Sequence, residues 1–237
     1  MSQSLPAYLD GKPKLLLIDG KHVPSVSGKT FTTRNPATGE VLAEVAMGCA
    51  EDVDIAVRSS RAAFEGGWSK FTPAERQAVL LKLADLIDRE WEELALMDTL
   101  EMGRPITPSR SIRSMVLRLI RYFTGAATAI TGETYANSFP IELQAYSLRE
   151  PVGVVGSISP WNGPIFTAAW KSVLGLAVGC TVVLKPSELG TISPLRFAEL
   201  CLEAGIPPGV VNVVSGFGDV GAALAAHSDV DKLTFTG

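Results

Sequence analysis

Apolar residues at three-and-four spacing predict the first helices of the chain. One such stripe covers residues 51–65 and ends at a Gly-Gly pair, which predicts an amphipathic helix. A longer stripe predicts a second helix, in which Thr72 is the N-cap, Pro73 opens the first turn and Glu75 is the returning acid of a capping box. The buried face of this second helix is predicted to consist of Leu80, Leu83, Ala84 and Ile87.

A third helix is predicted at roughly residues 108 to 130. It carries four arginines, which are predicted to form a solvated face that pairs with glutamates of the preceding helix: Arg110, Arg113, Arg118 and Arg121. The chain before residue 140 is therefore expected to be mostly helical.

The pattern changes near residue 140. Residues 141–158 have an extended pattern with a break at Pro151, which predicts two strands joined at a turn or bend. From there, β-branched strands alternate with helical stretches to the end of the chain; the strands are VGVVGSI, TVVLK, VVNVVS and KLTFT. This alternation predicts an α/β fold, a parallel sheet with helices on both faces, whose ligands bind at the carboxyl ends of the strands.

Composition indicates a globular protein and argues against several partners. The 237 residues are 46% apolar and 19% charged, so a sizeable core is expected. The formal net charge is −4 with Lys and Arg scattered singly, so neither nucleic acid nor a membrane is an expected partner. No apolar run of about 18 residues occurs and the first residues lack a secretory apolar core, so a cytoplasmic location is expected.

Cysteine and histidine offer no metal site. Cys49, Cys180 and Cys201 are an odd set at wide spacing, which predicts small buried thiols rather than disulfides or metal ligands. His22 and His227 lie far apart and are predicted to be structural or surface residues.

Three predicted strand ends carry candidate chemistry. The first is followed by SISPWNGP, in which two prolines stiffen the loop around Trp161 and Asn162. An amide directed into a cleft can stabilise a developing oxyanion, whereas a loop amide commonly only bonds to nearby backbone. The spacing alone leaves both readings of Asn162 open.

The second and third strand ends are equally ambiguous from spacing. Lys185 and Glu188 bracket a proline, and they form either a site for a ribose and a phosphate or an ordinary exposed ion pair. Gly216, Gly218 and Gly221 match G-x-G-x-x-G after a strand, which is weak evidence in a chain with 22 glycines.

Several long motifs in a fixed order resemble the aldehyde dehydrogenase superfamily. They are LIDGKHV, NPATGEVLAEVA, REPVGVVGSISPWNGPIFTAAWKSVLGLAVGCTVVLKPSE, AELCLEAGIPPGVVNVVSGFG and DVDKLTFTG, so the resemblance runs from about Leu17 to the last residue. It implies that residues 1–237 form an incomplete Rossmann-like NAD-binding domain, and that 138–151 is a β-arm used in oligomerisation, as a homodimer or homotetramer.

The resemblance also implies residue roles. Asn162 corresponds to the oxyanion-hole asparagine, and the helix that follows it lines the aldehyde tunnel through Gly163, Phe166, Thr167 and Trp170. For Phe166 and Trp170, core packing is the alternative. The positions implied to contact the cofactor are Ser159, Pro160, Trp161, Asn162, Lys185, Ser187, Glu188, Gly218, Asp219, Phe235 and Gly237. NAD is expected rather than NADP, because the Glu188 carboxylate accepts the ribose hydroxyls and repels a 2′-phosphate.

The implied reaction is oxidation of an aldehyde to an acid through a cysteine thiohemiacetal. In the family, a helix that faces the cofactor pyrophosphate, a glutamate general base and the cysteine nucleophile all lie beyond the position of Gly237. The chain alone is therefore expected to be inactive, with the catalytic domain absent. The alternative is a non-catalytic module, derived from the same family, that binds a nucleotide or a partner.

Overall fold

The computed structural model describes residues 5–237 of the chain. Four short strands come first. They are β1 (Leu16–Ile18), β2 (Lys21–Val23), β3 (Thr30–Arg34) and β4 (Val41–Ala46). β1 and β2 form a hairpin that turns at Asp19 and Gly20, both with positive φ (53° and 69°), and β3 pairs with β4 in a separate sheet. The expectation of a mostly helical first part missed these strands, because strands of three to six residues leave little periodicity.

Five helices follow. They are α1 (Ala50–Glu65), α2 (Pro73–Arg89), α3 (Trp91–Met102), α4 (Ile106–Ser111) and α5 (Arg113–Ala126). The predicted capping box of α2 is confirmed: Glu75 N donates to Thr72 Oγ1 at 3.2 Å, and Thr72 N donates to Glu75 Oε2 at 2.7 Å. The four residues predicted for its buried face are all buried.

The predicted second and third helices are each two helices. The second is interrupted at Glu90, whose carboxylate accepts hydrogen bonds at 2.7 and 2.9 Å from the guanidinium of Arg196. The third is interrupted at Ile112, between α4 and α5. Apolar periodicity continues across both breaks, so the sequence pattern did not reveal them.

The arginine face is solvated, and three of its four members are paired, two of them with aspartates; Arg118 is exposed and forms no ion pair with residues 5–237. Arg113 and Arg121 pair with Asp88 and Asp85 of α2, and only Arg110 pairs with a glutamate, Glu92 of α3. The predicted partners were therefore wrong for two of the arginines. Half-exposed pairs of this kind each contribute about 0–1 kcal/mol to stability.

The segment around residue 140 is an exposed arm. β5 (Thr134–Tyr135) and β6 (Ala145–Tyr146) pair antiparallel over two residues each, and β7 (Val154–Ile158) begins after an irregular stretch. The two strands predicted within 141–158 correspond to β6 and β7. The break between them is longer than a turn at Pro151, because it covers residues 147–153.

Alternating strands and helices build the main sheet. After β7 come α6 (Pro164–Ala177), β8 (Thr181–Lys185), α7 (Ile192–Ala204), β9 (Val211–Val213), α8 (Gly218–Ala226) and β10 (Lys232–Phe235). The six-stranded sheet has the order β10-β7-β8-β9-β1-β2, in which the first four strands are parallel and β1 and β2 are antiparallel additions. The predicted α/β fold with a parallel sheet is confirmed, although the complete sheet is mixed.

Both faces of the sheet are covered. Val182 and Leu184 of β8 join the core formed with α6 and α7, whereas Val183 joins the core formed with α1 and α8. Burying each such side chain contributes about 1.5–3 kcal/mol. Strands buried on both faces have continuous apolar sequences, which is why TVVLK was recognisable.

β7 is the switch point of this topology. The chain steps from β7 to β8 and β9 on one side, and α8 then carries it back to β10 on the other side of β7. In open α/β sheets, ligands bind in the crevice that such a reversal creates at the carboxyl ends of the strands.

Candidate functional site

The loops that follow β7, β8 and β10 begin beside one another at the switch point. Ser159 N donates to the Lys185 carbonyl at 3.1 Å, and Thr236 N donates to the Ile158 carbonyl at 3.2 Å. Because the strands are parallel, all the predicted cofactor positions fall on one edge of the sheet.

The loop after β7 exposes two side chains and buries a third. Trp161 is 51% exposed, and the exposed Asn162 side chain makes no hydrogen bond to any residue between 5 and 237. Local backbone bonding, the alternative for Asn162, is thus not observed. The Ser159 hydroxyl is buried without a hydrogen-bond partner in the described chain. The Trp161 and Asn162 side chains are therefore accessible at the edge of the sheet, whereas the Ser159 hydroxyl is enclosed.

The loop after β8 contains a buried lysine. Lys185 has 7% of its side chain exposed, and its Nζ lies 3.7 Å from Oε2 of the half-buried Glu188. Burial lowers the pKa of Lys185, while the Glu188 and Asp219 carboxylates oppose that shift. The alternative of an ordinary exposed ion pair does not fit this burial. Ser187 helps to shape the loop, because its carbonyl accepts from Thr191 Oγ1 at 2.8 Å.

The two loops touch at Gly190. A Cβ atom on Gly190 would lie 2.6 Å from Pro164 Cγ and 3.4 Å from the Trp161 carbonyl oxygen, so no larger residue fits without a shift. The position of one loop therefore constrains the other.

The glycines after β9 differ in their packing. Only Gly216 is sterically required, because a Cβ there would lie 2.6 Å from Val220 Cγ2, whereas one on Gly221 would make an ordinary contact at 3.6 Å with Ile158 Cδ1. Gly218 faces open space, and Asp219 is exposed in the first turn of α8. The G-x-G-x-x-G match is thus explained in part by packing.

At the end of β10, Phe235 is 68% exposed, and its ring lies close to Gly237.

The predicted tunnel residues share one side of α6 but differ in exposure. The Phe166 and Trp170 rings lie 5.7 Å apart, and Trp170 borders a groove of about 410 Å³ between α6 and β10. Thr167 is buried, with its hydroxyl donating to the Gly163 carbonyl at 2.8 Å. It thus offers no free polar group.

Two of the three thiols lie away from this edge, whereas Cys49 follows Gly48, whose N donates to the Ser215 carbonyl beyond the end of β9 at 2.9 Å. Cys180 precedes β8 at the end opposite Lys185, and Cys201 is buried in α7, where burial raises its pKa. Cys49 is only half-buried, contrary to the prediction, because it caps α1 with Sγ 3.2 Å from Asp52 Oδ2. His22 pairs with Glu199, and His227 pairs with Asp54.

Two buried carboxyl groups were not predicted from the sequence. Asp98 and Glu101 lie on the buried side of α3, 1% and 5% exposed, beside the helices that follow the two loops. The signal was present in the sequence, since Asp98 continues the stripe of Trp91, Leu94 and Ala95. Lys171 was also missed; its Nζ lies 3.3 Å from Thr234 Oγ1.

A buried lysine and an exposed amide thus lie at the switch point of an open α/β sheet, which is where proteins of this architecture bind ligands. The family is shown by a match over residues 22–237 to the model described as "Aldehyde dehydrogenase family". The chain belongs to the aldehyde dehydrogenase family.

The chain is similar to other aldehyde dehydrogenases both in sequence and in structure. "Aldehyde dehydrogenase 1" of Tanacetum cinerariifolium is 48% identical over 239 residues, which cover 100% of this chain and 47% of that protein. "Aldehyde dehydrogenase family 2 member B4, mitochondrial" of Arabidopsis thaliana is 49% identical over 94% of this chain and 41% of its own length. The NAD+ complex of an aldehyde dehydrogenase from Bacillus cereus superimposes with a TM-score of 0.91 at 45% identity, covering 98% of this chain and 47% of that one. The chain thus spans less than half the length of these relatives.

Proposed function

We propose that this chain supplies the NAD-binding part of an enzyme that oxidises an aldehyde to a carboxylic acid. The observation that carries the proposal is the buried Lys185 beside Glu188 at the end of β8, next to the free amide of Asn162 at the end of β7. The NAD+ complex of the similar Bacillus cereus enzyme supports the choice of cofactor.

The residues present suit NAD. Lys185 and Glu188 offer a donor and an acceptor to the adenosine ribose, with Ser187 in the same loop and Gly218 and Asp219 on the adenine side. Ser159, Pro160 and Trp161 border the nicotinamide end, and Phe235 and Gly237 close the edge at β10. The accessible Asn162 amide and the open space at Gly218 are features that a ligand would use. When bound, NAD accepts the hydride.

Asn162 is the oxyanion donor in this proposal. Its amide donates to the aldehyde oxygen when a cysteine thiolate adds to the carbonyl carbon and forms a thiohemiacetal. Gly163, Phe166, Thr167 and Trp170 then border the path of the aldehyde, and the two aromatic rings favour an apolar or a cationic substrate.

The thiolate and the general base come from a part of the protein other than residues 5–237. Cys180 and Cys201 are buried away from Asn162, and Cys49 is engaged by Asp52. This separation also favours the second candidate function, a non-catalytic module that binds a nucleotide or a partner.

The arm at 138–151 is proposed to pair with another subunit, in a homodimer or homotetramer. Its apolar side chains are more exposed than is usual for a solvated hairpin; among them are Phe139 (66%), Ile141 (67%), Tyr146 (64%) and Leu148 (73%).

For location and other partners, the proposal follows the composition: a cytoplasmic enzyme without a nucleic-acid partner. One relative named above is mitochondrial. Within residues 5–237, no helix is long and apolar enough to cross a membrane, and no cluster of three or more His, Cys, Asp or Glu is arranged for a metal.

A calorimetric titration of the purified chain with NAD and with ADP-ribose tests the proposal. Saturable binding of both is expected, and Lys185→Met should weaken both because it removes the donor at the end of β8. Exposed Lys12→Met on the N-terminal segment serves as a matched control. Absence of saturable binding at millimolar ligand, or equal binding by Lys185→Met, would contradict the proposal.

A further inference from the structure

Two acids on one face of α3 occupy a position that the proposed reaction does not explain. Asp98 and Glu101 are three residues apart in the helix, so their side chains point to the same side. Both are buried. A carboxyl group is costly to bury, and its retention in a core calls for specific partners.

Glu101 binds the beginning of α7. Its Oε2 accepts from Ile192 N at 2.9 Å, and its Oε1 accepts from Thr33 Oγ1 of β3 at 3.0 Å. Ile192 is the first residue of α7 and directly follows the loop that carries Lys185 and Glu188. The carboxyl group thus fixes the downstream end of that loop.

Asp98 lies between α7 and α6. Its Oδ1 accepts from Ser193 Oγ at 2.5 Å, whereas its Oδ2 is buried without a hydrogen-bond partner among residues 5–237. Burial raises the pKa of this carboxyl, and the nearby backbone amide of Ile165, in the first turn of α6, opposes that rise. Ile165 follows the loop that carries Trp161 and Asn162. The two acids therefore bind the first turn of α7 directly, and Asp98 also lies beside the first turn of α6.

The contact at Gly190 connects the two loops physically. Because the two loops touch there, a shift in the first turn of either α6 or α7 displaces both loops. A groove of about 400 Å³ is bordered by β3, the end of α3 and both loops, and its lining includes Glu101, Trp161 and Glu188. An apolar residue could fill the same space, but it could not accept the Ile192 amide or the Ser193 hydroxyl.

We propose that Asp98 and Glu101 are positioning residues that fix the Trp161–Asn162 loop relative to the Lys185–Glu188 loop. The inference rests on the proposed function for its purpose, since the two loops would hold opposite ends of one dinucleotide. The coupling of the loops itself is a property of the chain without a ligand.

Hydrogen exchange of the ligand-free chain tests the coupling. In Glu101→Gln and Asp98→Asn, amides of residues 159–165 and 187–193 should exchange roughly tenfold faster or more, while β8 stays protected. Asp52→Asn is the matched control: Asp52 is also a buried helical carboxylate, but its partners Ser25 and Val26 belong to neither loop. It should leave exchange in both loops unchanged.

Thr33→Val provides a milder variant if either substitution prevents folding. It removes one donor to Glu101 and should accelerate exchange at 187–193 to a smaller extent. Unchanged exchange in both loops, or acceleration spread evenly through the chain and shared by Asp52→Asn, would overturn the proposal.

NAD affinity separates this inference from the proposed function. Glu101→Gln should weaken NAD binding about tenfold at an unchanged urea midpoint, which loss of stability alone would not produce. If the wild-type chain fails to bind NAD but its loops respond to Glu101→Gln, the proposed function fails and the coupling stands. If NAD binds equally to both forms and the loops do not respond, the coupling fails alone.

Discussion

Lys185 Nζ lies 3.7 Å from the Glu188 carboxylate, although only 7% of the lysine side chain is exposed and 33% of the glutamate side chain is. This separation exceeds the roughly 2.7–2.9 Å of a charge-assisted hydrogen bond, so both groups keep capacity for a ligand. The lysine is held in place by burial, while the glutamate faces the open edge. A ribose with two free hydroxyls suits this pair, and a 2′-phosphate would meet the carboxylate.

The first prediction concerns cofactor choice. The chain should bind NAD more tightly than NADP, and Glu188→Gln should reduce that preference by about tenfold or more, because it removes the charge that opposes the 2′-phosphate. Calorimetric dissociation constants for both cofactors measure the ratio. Glu142→Gln, an exposed glutamate of the arm, should leave it unchanged. Equal or tighter NADP binding by the wild type would contradict the prediction and assign the phosphate to Lys185.

The second prediction concerns Asn162 in an enzyme completed with the second half of a relative. Asn162→Ala should lower kcat by roughly 10²- to 10³-fold, because one preorganised oxyanion donor is lost, while NAD affinity is maintained. Steady-state kinetics and an NAD titration measure the two effects. Asn137→Ala is the control, because this exposed amide next to the arm donates to the Leu143 carbonyl. An unchanged kcat with chemistry rate-limiting would return Asn162 to an ordinary loop role.

The third prediction is a pH dependence of stability. Burial raises the pKa of Asp98 to about 7 from an ordinary value of 3.8, with Glu101 adding to the shift and Arg104 opposing it. A carboxyl group with a raised folded pKa contributes most to stability when protonated, and that contribution is lost as the pH rises from about 4 through 7. Asp98→Asn cannot ionise, so its stability relative to the wild type should increase with pH.

Urea unfolding at pH 5 and pH 8 measures this change, and the relative gain should be about 1–2 kcal/mol. Asp88→Asn is the control, because the Arg113 guanidinium lowers the pKa of Asp88 and its contribution is instead lost as the pH falls. The control should show no relative gain between pH 5 and pH 8. A pH-independent difference between wild type and Asp98→Asn would show that Asp98 has the same protonation state throughout.

β7, β8 and β9 were recognisable in the sequence because these strands are buried on both faces. Val182, Val183 and Leu184 are consecutive apolar residues, and the strand needs no alternation to be recognised. β1 and β2 were not recognisable in the sequence, since three residues are too few to show an alternation of apolar and polar positions. Their place in the sheet is decided by pairing of Leu17 with Val213, nearly 200 positions away.

The candidate site likewise contains residues that the sequence predicts and residues that it does not. Residues in the loops after strands were identifiable, because Pro and Gly punctuate them and the motif order resembles a known family. Glu90 and Glu101 were not, because their roles depend on Arg196 and Ile192, which periodicity within one helix cannot locate. Helix breaks and buried acids are consequences of tertiary contacts rather than of local pattern.

The last prediction concerns the chain by itself, which should show no aldehyde oxidation. An oxyanion donor stabilises only a charge that a nucleophile has created, and none of the three thiols is placed to do so. The pKa of Cys49 is raised by burial and by its acidic neighbours, that of Cys201 is raised by burial, and Cys180 lies at the wrong end of β8. An assay with NAD and a panel of aldehydes measures turnover, with mass spectrometry to exclude a longer enzyme.

The chain should also bind NAD roughly 100-fold more weakly than a relative of full length, because it spans less than half the length of such a relative and supplies only part of the groups that could bind the cofactor. Calorimetry of both proteins in one buffer measures the ratio. The decisive variant replaces Cys49, Cys180 and Cys201 together by serine. Turnover by the wild-type chain that disappears in this triple variant would identify a nucleophile among the three, and the role of the cysteine from outside this chain would have to be abandoned.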